Sequence, residues 1–254
     1  MRFASLGSGS RGNALVVEAG GTCVMLDCGF SAGETVARLA RLGLAPQQLG
    51  GIVVTHEHDD HSGGVARFAR KFGLPVWLSY GTRQAVADEF SQVAVTLVDA
   101  HRRFHIGDIE IEPYPVPHDA REPVQFVFGD GARRLGVLTD AGCATPHIEA
   151  MLSGCDALVL ECNHDAEMLR NSAYPPRLKQ RIAGRFGHLD NAASAKLLAS
   201  LDCGRLQHIV AAHLSQQNNK PELARHALAQ ALNCELEWIG IADQESGFAW
   251  REIS

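Results

Sequence analysis

Nowhere does the chain stay apolar for the length that a bilayer crossing demands. A membrane-spanning helix is therefore not expected. The first residues, Met1-Arg2-Phe3-Ala4-Ser5-Leu6, fall short of the apolar core of a secretory signal peptide. No Cys-x-x-Cys pair occurs, and the seven cysteines are odd in number and scattered. That argues against a disulfide framework and for the reducing cytosol, so the expected location is cytoplasmic. Cys28, Cys143 and Cys162 lie close to Asp27, Asp140 and Glu161, but read as small buried hydrophobes. There is no linker and no low-complexity segment, so residues 1–254 read as one domain. Nor is there an excess of positive charge. A net charge of −6 and a pI near 6.0 speak against a non-specific coat for nucleic acid. At 46% hydrophobic and 20% charged, the composition is that of an ordinary globular protein, long enough to bury a sizeable core.

What the chain does carry is a run of ligand-type residues: His56, Glu57, His58, Asp59, Asp60, His61. The run reads His-x-His-x-Asp-His and follows directly on Gly51-Ile52-Val53-Val54-Thr55, an apolar stretch that reads as a buried strand. Two imidazoles at i and i+2 in a loop can close on one ion. The carboxylate and third imidazole just beyond can face a second. Such ligands suit zinc, and also manganese or iron. A solvated loop needs no fixed spacing, and the rest of the chain supplies matching partners.

Those partners share a local context. Val24-Met25-Leu26 runs into Asp27, Gly136-Val137-Leu138-Thr139 into Asp140, Ala157-Leu158-Val159-Leu160 into Glu161, and Ile209-Val210-Ala211-Ala212 into His213. If these apolar runs are strands, their carboxyl ends carry the polar groups, where open sheets collect their sites. His118 follows Pro115-Val116-Pro117, which is extended without being a clean strand. A single Asp after a strand is a common turn residue; several such ends beside the histidine run are harder to read as turns.

Elsewhere the pattern predicts a hairpin over 14–28 turning at Gly20-Gly21, and a helix over 31–43. It predicts a helix over 62–73 ended by Gly73 and Pro75, then short strands and turns over 75–140. Further helices are expected near 145–153, 190–201 and 220–232, the last with Pro221 in its first turn, and two strands over 234–252.

On these residues the chain resembles the metallo-β-lactamase-fold hydrolases: Asp27 in Leu-Asp-Cys-Gly, the run His56 to His61, His118, Asp140 in Leu-Thr-Asp-Ala-Gly, and a late histidine in Ala-His-Leu-Ser. Within that superfamily it most resembles the small exonuclease-like group typified by the bacterial YycJ/WalJ proteins. The closer likeness rests on Leu6 to Asn13, on Glu161-Cys162-Asn163-His164-Asp165, and on His213 to Asn219. The resemblance implies an α/β (α+β) fold, a four-layer αββα sandwich of two mixed β-sheets flanked by helices. It implies two divalent metal ions, zinc or manganese or iron. One would be held by His56, His58 and His118, the second by Asp60, His61 and His213, with Asp140 bridging. A hydroxide between such ions would be the nucleophile. Asp27 would support the ligand loop by hydrogen bonding and orient a ligand histidine.

The late histidine has two candidates, His188 and His213. A strand end fixes an imidazole better, and the Ala-His-Leu-Ser context matches, so His213 is the expected ligand. His188 is then free for acid chemistry, oriented by Glu161 as comparable pairs are in the phosphodiesterase branches of the fold. Asp60, His188 and Glu161 are the candidate catalytic residues. The plainer reading makes His188 a helix N-terminal residue with no catalytic task. His164 is a weaker alternative. His101, His105, His147, His208 and His226 have no motif and read as surface or packing residues.

Residues 168–187 contain Arg170, Arg177, Lys179, Arg181 and Arg185 and no acid. Beside a dimetal site, Arg177, Lys179, Arg181 and Arg185 could track a phosphate backbone; the plainer reading is a solvated face. The loop around Ser8, Ser10, Arg11 and Asn13 could cradle a phosphate on its backbone N–H groups, or be a tight turn. With the subgroup resemblance, these features favour cleavage of a phosphodiester, DNA or RNA, with no membrane partner. A small-molecule ester, thioester or lactam hydrolase is the alternative, and a non-catalytic regulatory homologue the second. The terminal alternation of helix and strand weighs against a glyoxalase-like member. The second histidine of the run and the chain length weigh against a redox di-iron protein. The short stretch between Asp140 and His213 leaves no room for the large inserted domain of the longer RNA-processing relatives.

Overall fold

The computed structural model describes residues 1–254. In chain order, β1 (Arg2–Gly7), β2 (Ala14–Ala19), β3 (Thr22–Leu26), β4 (Gly51–Val53), β5 (Val76–Ser79) and β6 (Val95–Val98) form a first sheet. The chain then builds a second from β7 (Phe104–Ile106), β8 (Ile109–Pro115), β9 (Val124–Gly129), β10 (Arg134–Leu138), β11 (Ala157–Glu161), β12 (His208–Ala212) and β13 (Ile239–Ile241). The last strand, β14 (Phe248–Glu252), returns to the first sheet and pairs antiparallel with β1. Each sheet has seven strands, ordered β14-β1-β2-β3-β4-β5-β6 and β13-β12-β11-β10-β9-β8-β7. The two sheets share one plan. Antiparallel pairing runs through β3 in the first and β10 in the second, and parallel pairing takes over from there to β6 and β13.

Parallel neighbours need long crossovers, and these carry most of the helices: α1 (Ala32–Arg41), α2 (Asp59–Ser62), α3 (Val65–Phe72), α4 (Tyr80–Ala85), α5 (Pro146–Leu152), α6 (Ala166–Asn171), α7 (Pro176–Ile182), α8 (Asn191–Ser200) and α9 (Pro221–Leu232). Side chains alternate across the strands. Val17, Val24 and Val53 meet Phe126, Phe128, Val137 and Val159 between the sheets. Val16, Met25 and Ile52 turn outward onto Leu39 of α1 and Phe68 of α3. Leu158, Leu160 and Ile209 turn outward onto Ile148 of α5, Leu197 of α8 and Leu228 of α9. This is the expected four-layer αββα sandwich, and each buried large apolar side chain adds roughly 1.5–3 kcal/mol of transfer free energy. No helix is long and apolar enough to cross a membrane.

Two local expectations change. The helix predicted over 62–73 is two pieces, α2 and α3, parted at Gly63-Gly64. A Cβ on Gly64 would lie 1.9 Å from the carbonyl oxygen of Phe30, so the chain packs there as only glycine can. The stretch 75–140 also contains a helix, α4, whose start is capped by Ser79 accepting from Thr82 N. The two strands expected over 234–252 are present as β13 and β14, and they belong to opposite sheets.

Gly29 marks where the fold meets the histidine run. A Cβ there would lie 1.9 Å from the carbonyl oxygen of Asp60 and 2.9 Å from the Cα of Gly12. Gly29→Ala should cost roughly 1–3 kcal/mol of stability by overpacking and displace Asp60 at the same time. Denaturant unfolding of the metal-free protein checks this; an unchanged midpoint would show that the three loops yield freely.

Candidate metal centre

The parallel strands bring their carboxyl ends to one rim, and the ligand-type residues stand on it. Asp27 follows β3, Thr55 and His56 lie just past β4, Asp140 lies just past β10, Glu161 ends β11, and His213 follows β12. Asp27, Asp140 and His213 take positive φ, at 58°, 52° and 55°. Residues other than glycine rarely occupy that region, and holding one there costs about 1–3 kcal/mol. Here it turns each side chain off its strand and into a common cluster.

Two groups of donors converge. His56 Nε2 lies 3.0 Å and His118 Nε2 3.2 Å from His58 Nδ1. Beside them, Asp60 Oδ2 lies 3.2 Å from His213 Nε2 and 3.5 Å from His61 Nε2. Asp140 stands between the groups, its Oδ2 2.9 Å from His61 Nε2 and its Oδ1 3.9 Å from His118 Nε2. All seven residues expected as metal ligands are thus brought together.

Neighbouring groups position three of the histidines. Asp27 Oδ2 lies 2.7 Å from His61 Nδ1, which leaves His61 Nε2 facing the cluster. Asp27 also accepts from Thr55 N at 2.8 Å and Thr55 Oγ1 at 2.9 Å. His118 Nδ1 lies 3.0 Å from the carbonyl oxygen of Gly187. Ser8 Oγ accepts from His213 N, and Asn163 Nδ2 donates to the carbonyl oxygen of His213. Asp27→Asn keeps the volume but loses the anionic partner of His61. It should weaken metal affinity about 10- to 100-fold, as measured by competition with a chromogenic chelator. An unchanged affinity would leave Asp27 a purely structural residue.

The electrostatics are those of a site built for cations. Burial opposes charge on His61, but Asp140, Asp60 and Asp27 outweigh it and lift its pKa well above the ordinary value. Burial also opposes charge on His213, yet Asp140, Asp60 and Glu161 push it up to about 10. Burial works against Asp140 as well, and the neighbouring His213 and His61 hold it well below the usual carboxylate range. Without metal, then, protons on histidines balance the buried carboxylates. Asp140 Oδ2 is fully buried with His61 Nε2 2.9 Å away, so the carboxylate depends on the charge of that ring. A buried carboxylate needs a cation beside it, and this one reaches toward both donor groups. Imidazole and carboxylate donors of this number fit two divalent ions of the zinc, manganese or iron type.

His188 lies at the edge of the cluster. Its Nδ1 is 2.8 Å from Glu161 Oε1 and 3.4 Å from Asp140 Oδ1. Glu161 is fully buried, and its Oε2 accepts from Ala141 N and Leu189 N, which locks the carboxylate in place. His164 is buried behind the site, its Nδ1 3.3 Å from Asn163 Oδ1 and outside the converging donors. His101, His105, His147 and His226 are exposed, and His208 packs at the opposite end of β12.

The cluster opens into a cleft of about 320 Å³, lined among others by Ser10, Asp60, Tyr174, Arg181, His188 and Ser215. The loop Ser8–Asn13 does not present a row of free N–H groups to it. Ser8 N, Gly9 N, Arg11 N, Gly12 N and Asn13 N all donate within the protein. Asn13 is buried and wedged beneath the histidine run. Its backbone N and side-chain Nδ2 both donate to the carbonyl oxygen of Asp60, at 2.7 and 3.2 Å. Ser8 Oγ donates to Asn13 Oδ1, while the Arg11 guanidinium pairs with Glu245. Of the four basic residues on 168–187 expected to meet substrate, only Arg181 lines the cleft. Lys179 Nζ donates to the carbonyl oxygen of Arg170, and Arg177 and Arg185 are exposed.

Residues not singled out in the sequence also shape the site: Thr55, Asp119, Asn163, Tyr174 and Ser215. Asn163 and Ser215 lie in the two later stretches that carry the closer resemblance, and Asp119 directly follows His118, so a local signal existed for these three. Thr55 carried none beyond its place before His56.

Known proteins resemble this arrangement. The Beta-lactamase superfamily domain family matches residues 22–244. The chain is 37% identical over 238 residues to the exodeoxyribonuclease YycJ of Bacillus anthracis, covering 91% of this chain and 89% of that protein. It is 33% identical over 238 residues to the exodeoxyribonuclease WalJ of Streptococcus pneumoniae serotype 2, covering 91% and 88%. In three dimensions it superposes on the metallo-beta-lactamase fold protein YhfI of Bacillus subtilis with a TM-score of 0.73 over 99% of both chains, at 15% identity.

Proposed function

The chain belongs to the metallo-β-lactamase superfamily, in the group of the YycJ and WalJ proteins, and from that membership and the site we propose that it is a dimetal-dependent phosphodiesterase acting on nucleic acid. The observation that supports the reading most is the buried carboxylate of Asp140, whose oxygens reach toward both sets of donors, Oδ2 2.9 Å from His61 Nε2 and Oδ1 3.9 Å from His118 Nε2. His56, His58 and His118 would hold one ion and Asp60, His61 and His213 the other, with Asp140 serving both. Two such ions supply Lewis acidity for a phosphoryl oxygen and a nucleophile at neutral pH.

The protein's own residues do the rest. Glu161 takes His188 Nδ1 and leaves its Nε2 free for the cleft. Burial opposes charge on His188, but Glu161 and Asp140 raise its pKa, which favours the protonated ring as donor to the leaving oxygen. Asp60 lines the cleft beside the donor cluster, which supports a part for its carboxylate in orienting the attacking water as well as in holding the second ion. Of the residues lining the cleft only two are hydrophobic, which suits a charged diester better than an apolar ester or lactam. The completeness of the donor set weighs against a non-catalytic homologue. The seven free cysteines fit a reducing, cytoplasmic setting, and we read residues 1–254 as one functional unit.

The test is direct. Metal-loaded protein is offered end-labelled single- and double-stranded DNA, RNA, and bis-p-nitrophenyl phosphate, with esters and a lactam as competitors. Chelator-sensitive cleavage of diesters is expected. Hydrolysis confined to the esters or the lactam would move the reading to the small-molecule hydrolases.

A further inference from the structure

Asp119 and Arg181 form a pair at the mouth of the cleft that the chemistry above does not use. Asp119 follows His118, and its Oδ1 stands 3.5 Å from His118 Nε2 and 3.9 Å from His58 Nε2. Its backbone N donates to the carbonyl oxygen of Phe186, and its Oδ2 accepts from Arg181 Nε at 2.5 Å. Arg181 comes from α7, the basic helix, and its side chain is 59% exposed. With Nε engaged, the two Nη groups of the planar guanidinium remain for the cleft that Arg181 lines. An exposed arginine without a partner would sample many rotamers. Here the anchor holds the fork beside the donor cluster.

Tyr174 lines the same cleft from the segment between α6 and α7. Pro175 and Pro176 follow it, and its backbone N donates to Ser172 Oγ, so its backbone is held. The cleft floor carries Asp59, Asp60 and Asp140. Arg181 is the one lysine or arginine among the lining residues, so it is the group best suited to hold a second phosphate away from the metal ligands.

Resting on the phosphodiesterase reading, we propose that Arg181 binds the phosphate next to the scissile one, that Tyr174 stacks an unpaired base beside it, and that Asp119 is the positioning residue that aims Arg181. The substrate class this defines is a nucleic-acid strand unpaired where it enters the cleft. Guanidinium and ring then supply the two contacts by which single strands are held irrespective of sequence.

Steady-state kinetics of the metal-loaded full-length protein test this, with a short single-stranded oligodeoxynucleotide and bis-p-nitrophenyl phosphate as paired substrates. Arg181→Ala should raise KM for the oligonucleotide about 10- to 100-fold, with kcat nearly unchanged. It should flatten the log–log salt dependence by about 0.7, and leave bis-p-nitrophenyl phosphate turnover at the parent level. Arg181→Lys should recover part of the loss. Asp119→Ala should raise KM in the same way with parental metal content, Asp119→Asn should recover most of it, and Asp119→Ala with Arg181→Ala should be no worse than Arg181→Ala alone. Tyr174→Ala should weaken oligonucleotide binding roughly 5- to 100-fold while Tyr174→Phe stays parental, and Arg177→Ala and Lys179→Ala should change little. Unchanged KM and salt slope in Arg181→Ala would overturn the clamp. Loss of metal in Asp119→Ala would make that residue part of the ligand set instead. A parental Tyr174→Ala would remove the stacking contact. A parent that cleaves oligonucleotides while Arg181→Ala stays parental would overturn this inference alone; one that cleaves bis-p-nitrophenyl phosphate but no oligonucleotide would also remove nucleic acid as the substrate, and one that cleaves neither would overturn the phosphodiesterase reading as well.

Discussion

Asp140→Ala should lower the bound metal from up to two ions per chain to at most one, and slow diester cleavage by on the order of 10³-fold or more. Asp140 is nearly fully buried, and its two oxygens reach toward both donor groups, 2.9 Å from His61 Nε2 and 3.9 Å from His118 Nε2. Its removal deletes the anion that most favours charge on His61 and His213 and leaves the remaining donors to share fewer negative charges. Losing the transition-state charge stabilisation of even one ion is worth several kcal/mol, at about 1.4 kcal/mol per factor of ten. Asp140→Asn keeps the volume, and so separates lost charge from a cavity. Metal analysis beside a thermal melt reads the result. If Asp140→Ala binds two ions and turns over substrate like the parent, the shared-ligand assignment is wrong.

The second large effect separates His188 from His213. Both rings lie near Asp140 Oδ1, at 3.4 and 3.5 Å, so proximity alone does not divide their roles. Their other contacts do. Both line the cleft, and both approach Glu161 Oε1 through Nδ1, His188 at 2.8 Å and His213 at 3.5 Å, but His213 is the one that turns Nε2 to Asp60, among the converging donors. His188→Ala should slow turnover about 10²- to 10⁴-fold with metal content near normal. The descending alkaline limb of the pH–rate profile, which reports a protonated acid, should vanish with it. His213→Ala should instead lose the second ion. Metal loss in His188→Ala with full occupancy in His213→Ala would exchange the two assignments.

Much of this site could be read along the chain because its ligands are local in two senses. The run His56 to His61 packs four donors into one loop, and Asp140, Glu161 and His213 each end an apolar run, so a one-dimensional pattern marked them. The αββα fold followed from a resemblance carried by those same motifs. The glycine-rich loop was legible only as a polar stretch. Its buried Asn13 serves the carbonyl of Asp60 across 47 positions of sequence, and no spacing rule announces such a bond.

The sequence by itself therefore singled out the donor residues that the fold gathers, since strand-end side chains and loop spacings are properties of contiguous residues. Only the tertiary structure decided how they are aimed. Asp27 reaches His61, Glu161 reaches His188, and Asp119 reaches Arg181, each through a hydrogen bond between elements far apart in the chain. The break between α2 and α3 has the same origin, because Gly64 yields to a carbonyl from another loop. So does the parting of β13 and β14 into opposite sheets. Local pattern sets what each segment can offer; packing of distant backbone sets which way it points.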